Sequence, residues 1–275
     1  MRGDLVALGP GLHRLTAHNP GIMTGQGTQS YFIGHQRITL VDPGPDLPDQ
    51  IPRIRQALDE LGACLESIML THTHLDHSPA AATLQDMMSV PVLGCPPTDL
   101  LRQDTTTHIT RILTDGEVLT TECGPLRVIA TPGHVGNHLS FYLEERGDVL
   151  TGDHVIAGST VVIIPPSGHM GDYMASLQRL LDTQAHRMLP GHGDPLVPAA
   201  PVLEWTLAHR RQRELKVKQV LHGFPGDVAE LTPRVYDDVP AQLHPVAQFS
   251  LLAHLLWLQE QGLAQHDAQG IWILT

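Results

Sequence analysis

Four metal-capable side chains fall within six residues in the stretch Thr71-His72-Thr73-His74-Leu75-Asp76-His77, directly after the apolar run Ser67-Ile68-Met69-Leu70. Imidazole nitrogens and carboxylate oxygens are what zinc, iron and manganese accept, so a single turn offering several of each points to metal binding. A lone histidine in a chain with 18 of them carries no such meaning. HxHxDH after a buried strand does. One turn cannot close two metal sites, so the remaining donors must come from elsewhere in the chain.

They recur at the same kind of place. His134 ends Thr131-Pro132-Gly133-His134 after the apolar strand at 126–130, and His192 lies in Pro190-Gly191-His192-Gly193 after Met188-Leu189. Asp153 follows Val149-Leu150 through Gly152, which permits a sharp turn, and its two oxygens could bridge two metals. His138 reads as a support or packing residue behind these donors, and His108 as a surface or supporting one. His169 and Tyr173 are candidates for a pocket mouth, against a plainer reading as surface-loop and helix-start residues.

Rigid elements must hold such groups. Residues two apart in a strand point the same way, so His72 and His74 face one spot from the extended end of a strand at 65–70, and Asp76 and His77 reach it from the following turn. Ser78-Pro79 reads as an N-cap with proline at the first helical position, which would make that turn short and stiff. Upstream, strands are expected at 12–17, 29–33 and 37–41, with a hairpin at Gly34-His35 and a glycine-rich loop at 19–28 that could border a pocket. A helix at 51–61, a helix at 79–88 and a strand at 90–93 complete an alternating order that predicts an α/β layered domain. Further on come an apolar wall at 161–166 and an amphipathic helix at 172–181.

The composition changes beyond Pro201. A long helix at 202–221, a second at 246–258 and two short strands around Asp267-Ala268 suggest a small winged-helix-like domain, dividing the chain into 1–200 and 201–275. From Pro201 onward there are six Lys or Arg against eight Asp or Glu, and the whole chain of 275 residues carries a formal charge of -12. That balance weighs against a dedicated nucleic-acid binder, although two bound dications could reverse the local field. Cys64, Cys95 and Cys123 are odd in number and lack a CxxC, so free thiols in a reducing compartment are expected. No apolar run is long enough for a membrane span and the first residues do not read as a secretory signal, which predicts a cytoplasmic protein that does not enter membranes.

In this order the motifs THTHLDH, TPGH, TGD and PGHG resemble those of the metallo-β-lactamase superfamily, over residues 10–195. The resemblance implies a four-layer αββα sandwich with a dinuclear site at one edge of its two sheets. It implies His72, His74 and His134 on the first metal, Asp76, His77 and His192 on the second, and Asp153 between them. The chain is similar to glyoxalase II-like hydrolases and, more closely, to winged-helix-tailed proteins that include a mitochondrial endoribonuclease. Asn19-Pro20 with Gly27-Thr28, the segment His209-Arg210-Arg211-Gln212-Arg213-Glu214 and Trp272 carry that closer likeness. Ser78-Pro79-Ala80-Ala81 stands where glycines are common in the family, a departure that touches substrate fit and not the donors.

The expected chemistry is hydrolysis of a small ester, thioester or lactone. Two divalent ions, zinc first with iron or manganese also fitting, would share a water, lower its pKa and deliver hydroxide, with Asp76 orienting that water. The alternative is a phosphodiesterase or endoribonuclease on single-stranded RNA. There Arg210, Arg211, Arg213, Lys216 and Lys218 would hold phosphates, against their reading as a solvated helix face. A homo-oligomer and a regulatory protein that signals through the tail complete the readings.

Overall fold

Consecutive residues of a strand point to opposite faces, and in this chain both faces of the central strands are apolar. The computed structural model, which describes residues 5–97, 99 and 102–275, shows where those faces go. Strands β1 (Val6–Gly9), β2 (Leu12–Thr16), β3 (Gln29–Ile33) and β4 (Arg37–Val41) form an antiparallel meander. Helix α1 (Gln50–Leu61) then returns the chain so that β5 (Cys64–Met69) lies parallel to β4. Helix α2 (Ala80–Met88) and strands β6 (Val92–Gly94) and β7 (Arg111–Ile112) complete a seven-stranded sheet in sequential order. A second sheet takes β8 (Val118–Thr121), β9 (Gly124–Ala130), β10 (Leu139–Leu143), β11 (Asp148–Gly152) and, after helix α3 (Met170–Asp182), β12 (Arg187–Pro190), in the order β12-β11-β10-β9-β8. The tail consists of α4 (Ala199–Gly223), α5 (Val228–Val235), α6 (His244–Glu260) and the antiparallel ribbon β13 (Ala264–His266) and β14 (Trp272–Leu274).

Alternation along each strand sorts its side chains between layers. Val41 and Met69 of the first sheet share a buried cluster with Val128, Phe141, Leu150 and Leu189 of the second. Their neighbours Leu40 and Ile68 turn outward onto Ile54 and Leu58 of α1 and Leu84 of α2. Val149 and Met188 turn outward from the second sheet onto Tyr173 and Leu177 of α3 and Leu203 and Leu207 of α4. The layers run helix, sheet, sheet, helix, as expected. Each fully buried side chain of this size contributes about 1.5–3 kcal/mol, and burial on both faces is why these strands read as unbroken apolar runs.

The tail has its own core, in which Val217 and Leu221 of α4 meet Leu231 and Val235 of α5, Leu255 of α6 and Trp272. Helix α4 therefore serves two cores, its first half packed on the sandwich and its second on the tail. Three local features depart from expectation. β1 is an additional edge strand, and its half-exposed side chains leave no periodic signal. α5 forms despite Pro233, its start fixed by reciprocal hydrogen bonds between Asp227 and Glu230. Ser78 does not cap α2: its hydroxyl donates to Asp104 Oδ2 at 2.8 Å, and the helix begins after Pro79 without a side-chain cap.

Candidate metal centre

The donors converge because the strands that carry them end at the same edge of the two sheets. β5 delivers the turn with His72, His74, Asp76 and His77, β9 delivers His134, β11 delivers Asp153 and β12 delivers His192. The first turn is tightened by the His74 carbonyl, which accepts from the backbone N–H of His77 at 3.0 Å and of Ser78 at 3.2 Å. Behind it sits Asp42, at the end of β4, whose carboxylate accepts from the Thr71 N–H at 2.8 Å, the Thr71 hydroxyl at 2.6 Å and the His77 Nδ1–H at 2.9 Å.

The seven side chains fall into two groups, and within each the donor atoms lie within 4.8 Å of one another. In the first, His74 Nδ1 is 3.0 Å from His72 Nε2 and 3.2 Å from His134 Nε2. In the second, His192 Nε2 lies 3.2 Å from Asp76 Oδ2 and 3.3 Å from Asp153 Oδ1, and His77 Nε2 lies 3.3 Å from that same Asp153 oxygen. The other oxygen of Asp153 faces the first group, 3.8 Å from His134 Nε2. One carboxylate thus has an oxygen toward each group.

Divalent ions fit this donor set. His77 Nε2 and Asp153 Oδ1 are buried without a hydrogen-bond partner, because their 3.3 Å approach lacks hydrogen-bond geometry. Buried polar atoms left in that state are rare, and a cation between them would satisfy both. The far ring nitrogens are already engaged. His134 Nδ1–H donates to the Val162 carbonyl at 2.9 Å, and His192 Nδ1 lies 3.3 Å from the Gly27 carbonyl. The Thr71 hydroxyl spends its proton on Asp42 and so accepts from His72 Nδ1–H at 3.0 Å. These contacts select the tautomers that leave a lone pair facing inward. Gly191 is required by space: a Cβ there would lie 2.5 Å from Asp153 Oδ1 and 2.7 Å from the His77 ring.

The two groups differ electrically. Burial lowers the pKa of His72, His74 and His134, that of His74 to about 3, with neighbouring imidazoles pressing the same way. Burial also acts downward on His77 and His192, but the Asp76 and Asp153 carboxylates outweigh it, raising His77 well above the ordinary range and His192 to about 10. For Asp76 burial pushes upward, and the charge of His77 with the hydrogen bond from His192 holds the carboxyl at about 2. The first group offers neutral imidazoles, whereas in the second, protons occupy the positions a cation would take.

Support comes from residues without a metal-ligand signature. Thr28 donates to Asp76 Oδ2 at 3.3 Å and is itself clamped by Asn19, which accepts from the Thr28 N–H and donates to its hydroxyl, both at 2.9 Å. The glycine-rich loop therefore positions Asp76. Asp42 is absent from the donors and supports read from the sequence, although an acid directly after a buried strand is the signal that singles out Asp153. His138 holds the Asp153 turn, accepting from the Asp153 N–H at 3.2 Å, and His108 is exposed.

Other expectations need correction. His169 and Tyr173 do not line the cavity over the donors. Because α3 starts at Met170, His169 becomes its N-cap, accepting from the Asp172 N–H, with Nε2 2.9 Å from Glu260. Tyr173 falls on the inner face of α3, fully buried, and donates to the His154 carbonyl. Nor are the basic residues of α4 a solvated face. Arg210 and Arg213 are buried, Lys216 and Lys218 pair with Asp237 and Glu214, and of the five only Arg211 is exposed.

Residues 23–192, more than half of the chain, match the family described as the Metallo-beta-lactamase superfamily, and residues 228–272 match the Beta-lactamase associated winged helix domain. The chain belongs to the metallo-β-lactamase superfamily, with an associated winged helix at its C-terminal end, and it is a hydrolase. A beta-lactamase-like protein 2 homolog of Drosophila melanogaster is 30% identical over 277 residues, 94% of this chain and 93% of that protein. An atrochrysone carboxyl ACP thioesterase of Aspergillus novofumigatus is 28% identical over 278 residues, covering 96% and 83% of the two chains. The crystal structure of a metallo-beta-lactamase family protein from Thermus thermophilus shares the fold, with a TM-score of 0.82 at 24% identity over 98% of this chain and 100% of that one. Among the described residues no helix is long and apolar enough to cross a membrane.

Proposed function

We propose that the protein is a dinuclear metal-dependent hydrolase of small thioesters, with simple esters and lactones as further substrates of the same chemistry. The observation that carries this reading is Asp153, whose two oxygens face two separate donor groups. His72, His74 and His134 would hold one ion, Asp76, His77 and His192 the other, with Asp153 serving both. Bound there, divalent cations supply Lewis-acid polarisation of a carbonyl and acidify water, so that no serine or cysteine nucleophile is needed. The chain's own groups do the rest. Asp76, fixed by Thr28 and His192, accepts a hydrogen bond from the attacking water and aims it. Val161, Val162 and Ile164 form an apolar wall against which the acyl part lies and from which bulk water is excluded.

A relative named a thioesterase supports the choice of thioesters. Five imidazoles and two carboxylates favour zinc, with iron and manganese close behind. The free thiols Cys64, Cys95 and Cys123 support a reducing, cytoplasmic setting. The RNA reading is weakened by α4, where Arg210 and Arg213 are buried and Lys216 and Lys218 are paired with Asp237 and Glu214. The test is metal analysis of untreated protein with a screen against acyl-glutathione and acyl-coenzyme A thioesters, simple esters, bis-nitrophenyl phosphate and a short RNA. Metal-dependent thioester turnover is expected. RNA cleavage without thioester turnover, weakening steeply with salt, would replace this reading by the nuclease one.

A further inference from the structure

The cavity over the donors, about 680 Å³ in volume, extends well beyond them. Part of its wall is made by the tail: His209, Arg210 and Arg213 of α4, and Tyr236 at the end of α5. The lining also includes the apolar side chains of Val161, Ile164, Leu243 and Val246.

On this tail side of the cavity the fold leaves polar groups unpaired. Tyr236 is 7% exposed and its hydroxyl has no hydrogen-bond partner. Arg210 is 3% exposed with its Nε in the same condition, as is Nδ1 of His209. Buried polar atoms are nearly always paired, so three unpaired ones on one stretch of cavity wall mark a place that something else completes.

Charge narrows what that is. Asp238 neutralises Arg213 through contacts of 2.7 and 2.9 Å. Arg210 has no such counter-ion: among the described residues no carboxylate pairs with it, and its guanidinium donates to the Val161 carbonyl and lies 5.1 Å from the centre of the Tyr173 ring. A guanidinium stays charged, and burying a charge without an opposite one is costly. Burial, reinforced by the Arg210 and Arg213 charges, lowers the pKa of His209 and of the fully buried His254, so neither offsets or adds to that charge. The residual field on this side is positive.

We infer that this side of the cavity is a recognition subsite for an anionic oxygen group, carboxylate or phosphate, carried by the substrate at a distance from its scissile carbonyl. Arg210 supplies the opposite charge, the Tyr236 hydroxyl and the His209 imidazole supply hydrogen bonds, and the apolar side chains hold the intervening chain. The assignment deepens the hydrolase reading and rests on it for the carbonyl. It specifies the substrate class as a thioester with a remote anion, either at the end of the acyl part or on the thiol part.

Two matched comparisons on the metal-loaded full chain test this. Hexanoyl and adipoyl thioesters of N-acetylcysteamine differ in an acyl-end carboxylate, and hexanoyl thioesters of pantetheine and 4′-phosphopantetheine differ in a phosphate on the thiol part. Non-hydrolysable thioether analogues of each are titrated in parallel by calorimetry. In one arm the anionic member should be favoured about tenfold or more in kcat/KM, through KM, with a matching ratio in analogue binding. Preference in the acyl arm places the anion on the acyl part, and preference in the thiol arm on the leaving group. Tyr236→Phe, which keeps the ring beside Arg213, should reduce that ratio about threefold. Arg210→Gln should bring it to about one, and if that variant does not fold, Tyr236→Phe still decides. Ratios of about one in both arms, or a ratio indifferent to Tyr236→Phe, would overturn the subsite while leaving the hydrolase intact. Conversely, if no thioester is cleaved but anionic analogues still bind more tightly in a Tyr236-dependent way, the subsite stands and the thioester reading of the hydrolase falls.

Discussion

Asp76 and Asp42 bear on the same metal turn from opposite sides, and their variants should separate. Asp76 lies among the donors and in the proposed mechanism orients the attacking water, so Asp76→Asn should lower kcat by about 100-fold or more with a much smaller change in KM. Unchanged turnover at full metal occupancy would remove Asp76 from the chemistry. Asp42 touches no substrate. It ties Thr71 and His77 by three hydrogen bonds, and its φ of 50° is one that asparagine tolerates, so the backbone is not what Asp42→Asn disturbs. What changes is charge and acceptor capacity, at an expected cost of about 1–3 kcal/mol in denaturant unfolding and about 10–100-fold in metal affinity. The pH behaviour follows from the second donor group. In the metal-free protein His192 is raised to about 10 and His77 is also raised, so both carry protons at pH 7 and a cation must displace them. Metal binding should therefore release protons at pH 7 and strengthen as pH rises from about 5 to 9. Calorimetry in buffers of different ionisation enthalpy measures the release, and identical heats would contradict it.

The turns after the strands are the elements that matter, because each holds a donor at a fixed distance from a donor on another strand. Gly191 shows how little slack there is. Its backbone is not in the left-handed region, so Gly191→Ala is opposed by crowding alone, at 2.5 Å from Asp153, 2.7 Å from His77 and 3.1 Å from the Gly152 backbone. The turn carrying His192 must move away. The expected result is a folded protein that retains the ion at His72, His74 and His134 and loses the other, read as about one metal per chain instead of two. Two bound ions in the alanine variant would show that the turn has room to shift.

At the scale of the whole molecule the tail is tied into the sandwich. α4 places Leu203 and Leu207 in one core and Val217 and Leu221 in the other, and α6 does the same with Ala253 and Leu255. The tail also contributes to the wall of the cavity over the donors, which domain and tail therefore share. With two helices shared between the cores, neither part can lose its packing alone. Heating the metal-free chain should give a single calorimetric transition, and two resolved transitions would mean the cores unfold independently.

The sequence alone determined the layers and pointed to the candidate donors. A histidine or aspartate directly after a buried strand is visible in local spacing, and strands apolar on both faces announce that helices must cover them. Even so, Asp42 has the same signature as Asp153 and is absent from that reading, because only tertiary contact brings it to Thr71 and His77. The pocket-mouth reading of His169 and Tyr173 fails for a related reason: two residues' difference in where α3 begins turns one into a cap and the other into core. The structure alone decided the fate of Arg210 and Arg213. Their charge and helical spacing are those of a solvated face, and burial of that face comes from the packing of α4, α5 and α6 around it, which depends on contacts tens of residues apart that no local pattern encodes.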